Sequence, residues 1–459
     1  MRRWFLLVVL VLCFAIVPMA NSATWTPSGK YGYVGISKAE NDWYTWKTER
    51  GTVEWLNNYQ ANTQFSESAS NCPGSDYCKE NASETLSYTV KEAKFVEITG
   101  EKIPTIFSDD DSVFLIPVVS AQEKGIYIGV KPSPSSPSSG DYYMVGYERD
   151  FLGGSKGYHR LEMGTVSFSG STASRSSKLA CDGSDCPNGI YDGTDQEQFS
   201  FGVGSNGEFL VALDGSQLTP FGWVGAGGKV VVISNTGVYY PKTADAFLVV
   251  VALKKGDKTY QASDLAGNWF MEGFGDFGGQ VFSFVGNATC EANGSCTIWA
   301  KDSSGTMEKF VETLSVSQDG SINDFGLGPS YETLRGAIGN NGQTMILAKG
   351  RTMIVGVKTP AKVNLTGVLL KNGWNLVGLI GGSSKSIGEI VGQNAQKIES
   401  IWKWVDNKKW AVYLPKMGAA ATSQYAQTKG FDIISVINPG EGFWVKVIGL
   451  DENESLLIE

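Results

Sequence analysis

Apolar and polar positions alternate along most of this chain, in short runs separated by clusters of Gly, Asn, Asp and Ser. A period of two is the signature of a β-strand, whose successive side chains point to opposite faces. In the stretch 267–358 the alternation predicts about eight strands, near 268–275, 280–289, 296–301, 307–317, 321–327, 331–338, 343–348 and 352–358. Their connections, such as Gln318-Asp319-Gly320 and Asn340-Asn341-Gly342, carry the residues that tight turns demand. Consecutive hairpins of this kind predict an antiparallel meander, leaving an up-and-down barrel, a sandwich or a six-bladed propeller open.

The same pattern occurs three times. Gly29-Lys30-Tyr31-Gly32-Tyr33-Val34-Gly35 is answered by Gly140-Asp141-Tyr142-Tyr143-Met144-Val145-Gly146 and by Gly267-Asn268-Trp269-Phe270-Met271-Glu272-Gly273. The repeats also end alike, at Ile126–Lys131, Phe247–Lys254 and Met353–Lys358. Each contains one close pair of cysteines: Cys72 with Cys78, Cys181 with Cys186, and Cys290 with Cys296. Agreement at start, middle and end identifies a tandem repeat.

The joints and flanks complete the plan. Met1-Arg2-Arg3, an apolar run to about Val17 and the small residues Ala20 to Ala23 predict a signal peptide over 1–23. Three β repeats follow over 24–131, 141–256 and 257–360, the first two joined by a Pro/Ser linker over 132–140. From 361 to 459 the character changes to a small α+β module, with a short helix expected within 386–395 and capped by Ser384 or Ser386. The expected fold class is therefore mainly β: three tandem antiparallel meander domains, barrel or sandwich, followed by a small α+β domain.

Within that last module, Gly373-Trp374-Asn375-Leu376-Val377-Gly378, Trp402 and Trp404, Val412-Tyr413-Leu414-Pro415, and Pro439-Gly440-Glu441-Gly442-Phe443-Trp444-Val445 stand in order. The segment 365–448 resembles an accessory module found near the C-terminus of many exported bacterial proteins. The resemblance implies export and a non-catalytic role, and it carries over no ligand or catalytic residue. Gly267-Asn268-Trp269 is similar, over three residues only, to the Gly-x-Trp opening of lipocalin and avidin barrels.

Composition narrows the chemistry. With 56 glycines, 12% aromatic and 19% charged residues, the chain has the make-up of a turn-rich β protein. Its net charge of −9 and lack of a basic cluster exclude nucleic acid as an expected partner. Outside Cys13 in the apolar leader, the remaining six cysteines all fall in the three pairs, which in an exported chain read as disulfides. Zinc is the competing reading, but a pair so spaced, in a chain whose one histidine is His159, does not complete a tetrahedral site.

His159 is expected at the surface, and Gly225-Ala226-Gly227-Gly228-Lys229 is expected to be a hairpin turn rather than a phosphate loop. Calcium candidates are Asp182, Asp185, Asn188, Asp192 and Asp195 in the second repeat and Asp109, Asp110 and Asp111 in the first, though neither follows an EF-hand pattern and acidic solvated turns explain both. No cofactor is expected. Trp374, Trp402, Trp404, Trp410 and Trp444 are dense for so small a module: they form either its core or an exposed platform for stacking on sugar or peptide. The expected function is non-enzymatic: a secreted or cell-surface structural or adhesive protein that binds a protein, a glycan or a sister chain. It would have no integral membrane segment once the signal is removed. The alternative is a lipocalin-like carrier of small apolar ligands within the barrels.

Overall fold

The computed structural model describes residues 25–39, 46–72, 75–92, 94–98, 103–119, 123–150, 158–181, 195–212, 217–234, 246–277, 280–303, 307–323, 333–361, 368–370, 372–378, 384–392, 394–405, 409–438, 441–449 and 454–458. The fold is mainly β, in three tandem units and a smaller α+β region. The proposed signal peptide lies outside the described residues.

Unit one comprises β1 (Gly29–Ala39), β2 (Trp46–Leu56), β3 (Gln60–Cys72), β4 (Ser75–Glu92), β5 (Phe95–Ile98), β6 (Ile103–Phe107), β7 (Val113–Val119) and β8 (Glu123–Val130). Unit two comprises β9 (Gly140–Asp150), β10 (Tyr158–Ser169), β11 (Thr172–Cys181), β12 (Asp195–Val203), β13 (Glu208–Ala212), β14 (Thr219–Gly225), β15 (Val230–Ser234) and β16 (Ala246–Lys254). Each is a closed up-and-down barrel, the last strand pairing with the first.

Unit three repeats the order with β17 (Gly267–Phe277), β18 (Gln280–Cys290), β19 (Ser295–Asp302), β20 (Met307–Thr313), β21 (Ser321–Ile322), β22 (Arg335–Gly339), β23 (Thr344–Lys349) and β24 (Arg351–Thr359). It departs from the other two because its sheet stays open between β20 and β21 among the described residues. The free edge of β20 pairs instead with β33 (Glu454–Ile458), which in turn pairs with β25 (Val368–Leu370). The chain thus returns from the C-terminal region to extend the sheet of unit three beyond β20.

Strands of one unit show two burial patterns, and the difference sets how the units meet. β2 alternates, as a barrel wall with one wet face should, whereas β1 and β24 are buried along nearly continuous runs. Such strands are covered on both sides. Their inward side chains fill the unit, and their outward side chains pack on the next unit. Strands β1, β2 and β8 lie against β14 to β16; β9, β10 and β16 lie against β22 to β24; and β17, β18 and β24 lie against β7 and β8. Each unit therefore presents its first, second and last strands to the final strands of the next, and the third returns to the first, a heterologous contact that closes into a ring.

The outward residues Val34, Ile128, Val145, Val251, Val355 and Val357 share one cluster drawn from all three units. Trp46, Tyr147 and Phe274, one ring from each unit, meet within it at centroid distances of 6.4, 6.1 and 4.9 Å. Backbone bonds cross every joint: Ser133 N to Val224 O (2.8 Å), Gly256 N to Asp319 O (2.9 Å) and Asp109 N to Lys358 O (2.8 Å). One position breaks the apolar pattern. Where the first two units have Val34 and Val145, the third has Glu272, fully buried, with neither carboxylate oxygen in a well-formed hydrogen bond.

Turn chemistry follows the expectation at Gly225–Lys229. Residues 226–228 make a tight turn between β14 and β15, with Gly227 and Gly228 at φ 65° and 88°. Asn340–Gly342 makes the equivalent turn in unit three. His159 stands near the start of β10, opposite Arg149 on the neighbouring strand.

The α+β region has a five-stranded sheet in the order β26 (Gly373–Gly378), β32 (Gly442–Val447), β28 (Ile398–Val405), β29 (Lys409–Tyr413) and β30 (Asp432–Ile433), with β27 (Lys385–Ser386) and β31 (Val436–Ile437) paired beside it. Helix α1 (Ile387–Val391) begins at Ser386, whose hydroxyl accepts from Glu389 N while its own amide donates to Glu389, a reciprocal cap. A second helix, α2 (Gly418–Lys429), ends at Gly430 in the left-handed region, φ 75°.

Candidate functional site

The five-stranded sheet has one dry face and one exposed aromatic face, and strand alternation decides which residue goes where. Val377, Ile401, Ala411, Phe443, Val445 and Val447 point to the dry side, packed against Ile387, Ile390 and Val391 of α1. Lys403 is buried on that side and reaches Glu441 and the carbonyl of Val436. Against the opposing effect of partial burial, the Asn438 amide and the Lys403 ammonium hold the Glu441 carboxyl below its ordinary value.

The intervening positions, Trp374, Leu376, Trp402, Trp404, Trp410 and Trp444, share the other face. Their register joins them across four strands: Leu376 stands opposite Trp444, Trp444 opposite Trp402, and Trp404 opposite Trp410. Trp404 and Trp410 meet edge to face at 5.1 Å. Trp402 is half-buried, closed at one end by Phe431 at 5.2 Å, and its indole N–H is buried with no hydrogen-bond partner. The other four indoles are open: Trp374 is 55% exposed, Trp404 47%, Trp444 39% and Trp410 37%, beside Leu376 at 65%. At the rim, Lys446 lies 5.7 Å from the Trp374 ring centroid and 2.8 Å from Glu399.

The tryptophans are therefore divided between packing and exposure. Trp402 serves partly as packing, and the other four rings are open on one face. Leu376 belongs to the same face and was not singled out from the sequence, although its spacing of two from Trp374 was the available signal. Of the eleven large apolar side chains that are exposed among the described residues, five (Trp374, Leu376, Trp404, Trp410 and Trp444) share this one face. An apolar patch so concentrated marks an interaction surface rather than the scattered exposure normal for a globular protein.

The remaining predicted residues are less informative. Cys290 and Cys296 face each other across β18 and β19 and form a disulfide, Cα to Cα 4.0 Å. Cys72 and Cys78 lie on the β3–β4 hairpin, opposite Ser75 and Ala69, and Cys181 ends β11. Cys186, Asp182, Asp185, Asn188 and Asp192 lie outside the described residues, and Asp195 opens β12 opposite Ser177. Asp109 to Asp111 form the turn into β7. There Asp111 pairs with Lys94 (2.9 Å) and accepts from the Trp25 indole (3.2 Å), while Asp110 accepts from the hydroxyls of Ser108 and Ser112. These are structural contacts of an acidic turn. Among the described residues no three His, Cys, Asp or Glu side chains cluster as a metal site would require, and no helix is long and apolar enough to cross a membrane.

No protein family and no curated protein matches the chain, so the likeness of residues 365–448 to an exported accessory module stands on its motifs alone. Among solved structures, a protein of unknown function from the DUF3598 family of Nostoc punctiforme is 9% identical, covering 48% of this chain and 96% of its own, at a TM-score of 0.16. A putative AttH from Nitrosomonas europaea is 8% identical, covering 91% of each chain, at a TM-score of 0.13. Scores this low carry no argument.

Proposed function

We propose that this is an exported, non-catalytic binding protein in which the three-unit ring is a rigid scaffold and the tryptophan face of the C-terminal module takes hold of a carbohydrate chain. The observation that carries the reading is the convergence of four open indoles and Leu376 on one side of a single sheet. Exposed indole faces suit sugar rings, whose axial C–H groups offer apolar faces, and a sheet holds the rings in place before the ligand arrives, so little side-chain entropy is lost on binding. The ion pair of Lys446 and Glu399 at the rim supplies donors and acceptors for hydroxyl groups. Export rests on the charged and apolar leader of residues 1–23, and the absence of catalysis on the single histidine and the structural duties of the acidic turns.

The test is retention of the full chain on a panel of insoluble and immobilised polysaccharides, compared with the double variant Trp404→Ala, Trp410→Ala. Retention on at least one glycan, lost in the variant while its melting temperature is kept, is the expected result. Retention on none of the panel, or retention indifferent to the variant, would remove the glycan reading and leave a protein partner for this face.

A further inference from the structure

The three units have the same inward positions but not the same interior. In unit one, Tyr33 and Tyr127 occupy two of them, with the Tyr127 ring lying over Gly35. The equivalent pairs, fixed by strand register, are Met144 with Val250 in unit two and Met271 with Ile354 in unit three. A third position carries the polar groups of the first two interiors: Glu49, opposite Gly35, accepts from the Tyr33 hydroxyl, and Glu162, opposite Gly146, binds Ser177 and Arg175. In unit three that residue is Phe284, opposite Gly273. Unit three has thus lost both large phenols and the buried carboxylate.

The consequence is space. Unit two keeps an apolar cavity of about 120 Å³, whereas unit three has a half-open cavity of about 850 Å³, within the range of small-molecule binding sites. Met271, Phe284, Ile298, Leu334, Leu347 and Ile354 line the larger cavity. Its wall draws on both sides of the opening in the sheet, with Phe310 on β20 and Leu334 just before β22. Charged side chains also line it: Asp302, Glu308 and Glu312, with Lys349 and, from unit one, Lys124; Lys349 lies 3.6 Å from Glu312. Three acids against two lysines give an anionic head group no advantage.

We infer that unit three is a binding chamber for the alkyl or isoprenoid chain of an amphiphile with an uncharged polar end. Units one and two are filled relatives of the same chamber, one with tyrosines and the other with phenylalanines. This assignment does not depend on the tryptophan face, which lies on a different sheet.

The test is a fluorescence titration of the full chain with N-phenyl-1-naphthylamine, followed by displacement with 1-hexadecanol and with hexadecanoic acid. The expected result is saturable binding of one probe per chain, displaced more effectively by the alcohol than by the acid. Met271→Phe with Ile354→Phe, which restores aromatic bulk where unit one has Tyr33 and Tyr127, is expected to weaken binding by at least about tenfold. Ile354→Phe alone serves if the double variant fails to fold. Trp404→Ala with Trp444→Ala should leave the probe affinity unchanged. Absence of saturable binding, binding indifferent to the filling variants, or loss in the tryptophan variant would overturn the chamber. Equal or stronger displacement by the acid would overturn the uncharged head group.

Discussion

Replacing Glu272 with Val should stabilise the protein, and by an amount that grows with pH. The side chain stands in the core shared by the three units, at the position where the other two place Val34 and Val145. Removal from water pushes its carboxyl well above the ordinary value of 4.5, and the Val118 backbone, which makes no well-formed hydrogen bond to it, only partly opposes that shift. The folded state therefore holds a proton that the unfolded chain releases above pH 4.5, so stability is greatest below that pH and falls as pH rises toward the folded pKa. One proton changes stability by about 1.4 kcal/mol per pH unit in that window. Even when protonated, an unpaired buried carboxyl costs about 1–3 kcal/mol. The gain for Glu272→Val is therefore about 1–3 kcal/mol below pH 4.5 and grows by up to about 1.4 kcal/mol with each pH unit above it until the folded pKa is passed. Urea unfolding followed by tryptophan fluorescence at pH 5, 6 and 7 measures it as the difference between variant and parent, which cancels the titration of every other group. Glu272→Gln should flatten the pH dependence without the full gain, because its amide is still unpaired. A pH-independent difference, or a less stable Glu272→Val, would refute the reasoning.

Other consequences are equally specific. A methyl group at Gly35 would sit 2.2 Å from Tyr127 Cδ1, so Gly35→Ala should cost about 1–3 kcal/mol in chemical unfolding, and Tyr127→Val, the residue type of unit two, should relieve it. Arg351→Leu withdraws a guanidinium from the fully buried Asp276 carboxylate, and a loss of about 3–5 kcal/mol is expected, much of it recovered when Asp276→Leu is added. Cys290→Ser with Cys296→Ser opens a small ring and should lower stability by about 2 kcal/mol, read as a shift in thermal midpoint; an unchanged midpoint would show that the staple does not stabilise unit three.

Much of the architecture was legible because alternation and turn residues coincide. The strand predicted at 268–275 is Gly267–Phe277, that at 296–301 is Ser295–Asp302, and that at 352–358 is Arg351–Thr359. The helix start at Ser386 was legible through its cap. Closure was not, since pairing of β1 with β8, or of β20 with the distant β33, leaves no mark on local periodicity. Helix α2 was missed for a different reason: Gly-Ala-Ala-Ala-Thr-Ser-Gln-Tyr-Ala-Gln-Thr-Lys has no apolar stripe, and only Thr422 and Ala426 are buried. The tryptophans were visible as a dense set, but their separation into one half-buried and four open rings depends on where Phe431 closes the face. The chamber of unit three was hidden because an inward Ile354 or Phe284 looks like ordinary core until it is compared with its equivalents in the other units.

The proposed grip on carbohydrate is tested most directly by calorimetric titration of the full chain with soluble fragments of the retained polysaccharide. Trp374, Trp404, Trp410 and Trp444 are each changed to Ala, with Trp299→Ala in unit three as the control. Each change on the face should weaken binding by about 1–2 kcal/mol, about 5- to 30-fold in Kd, while the control leaves it unaltered. Affinity that survives all four substitutions would contradict the account.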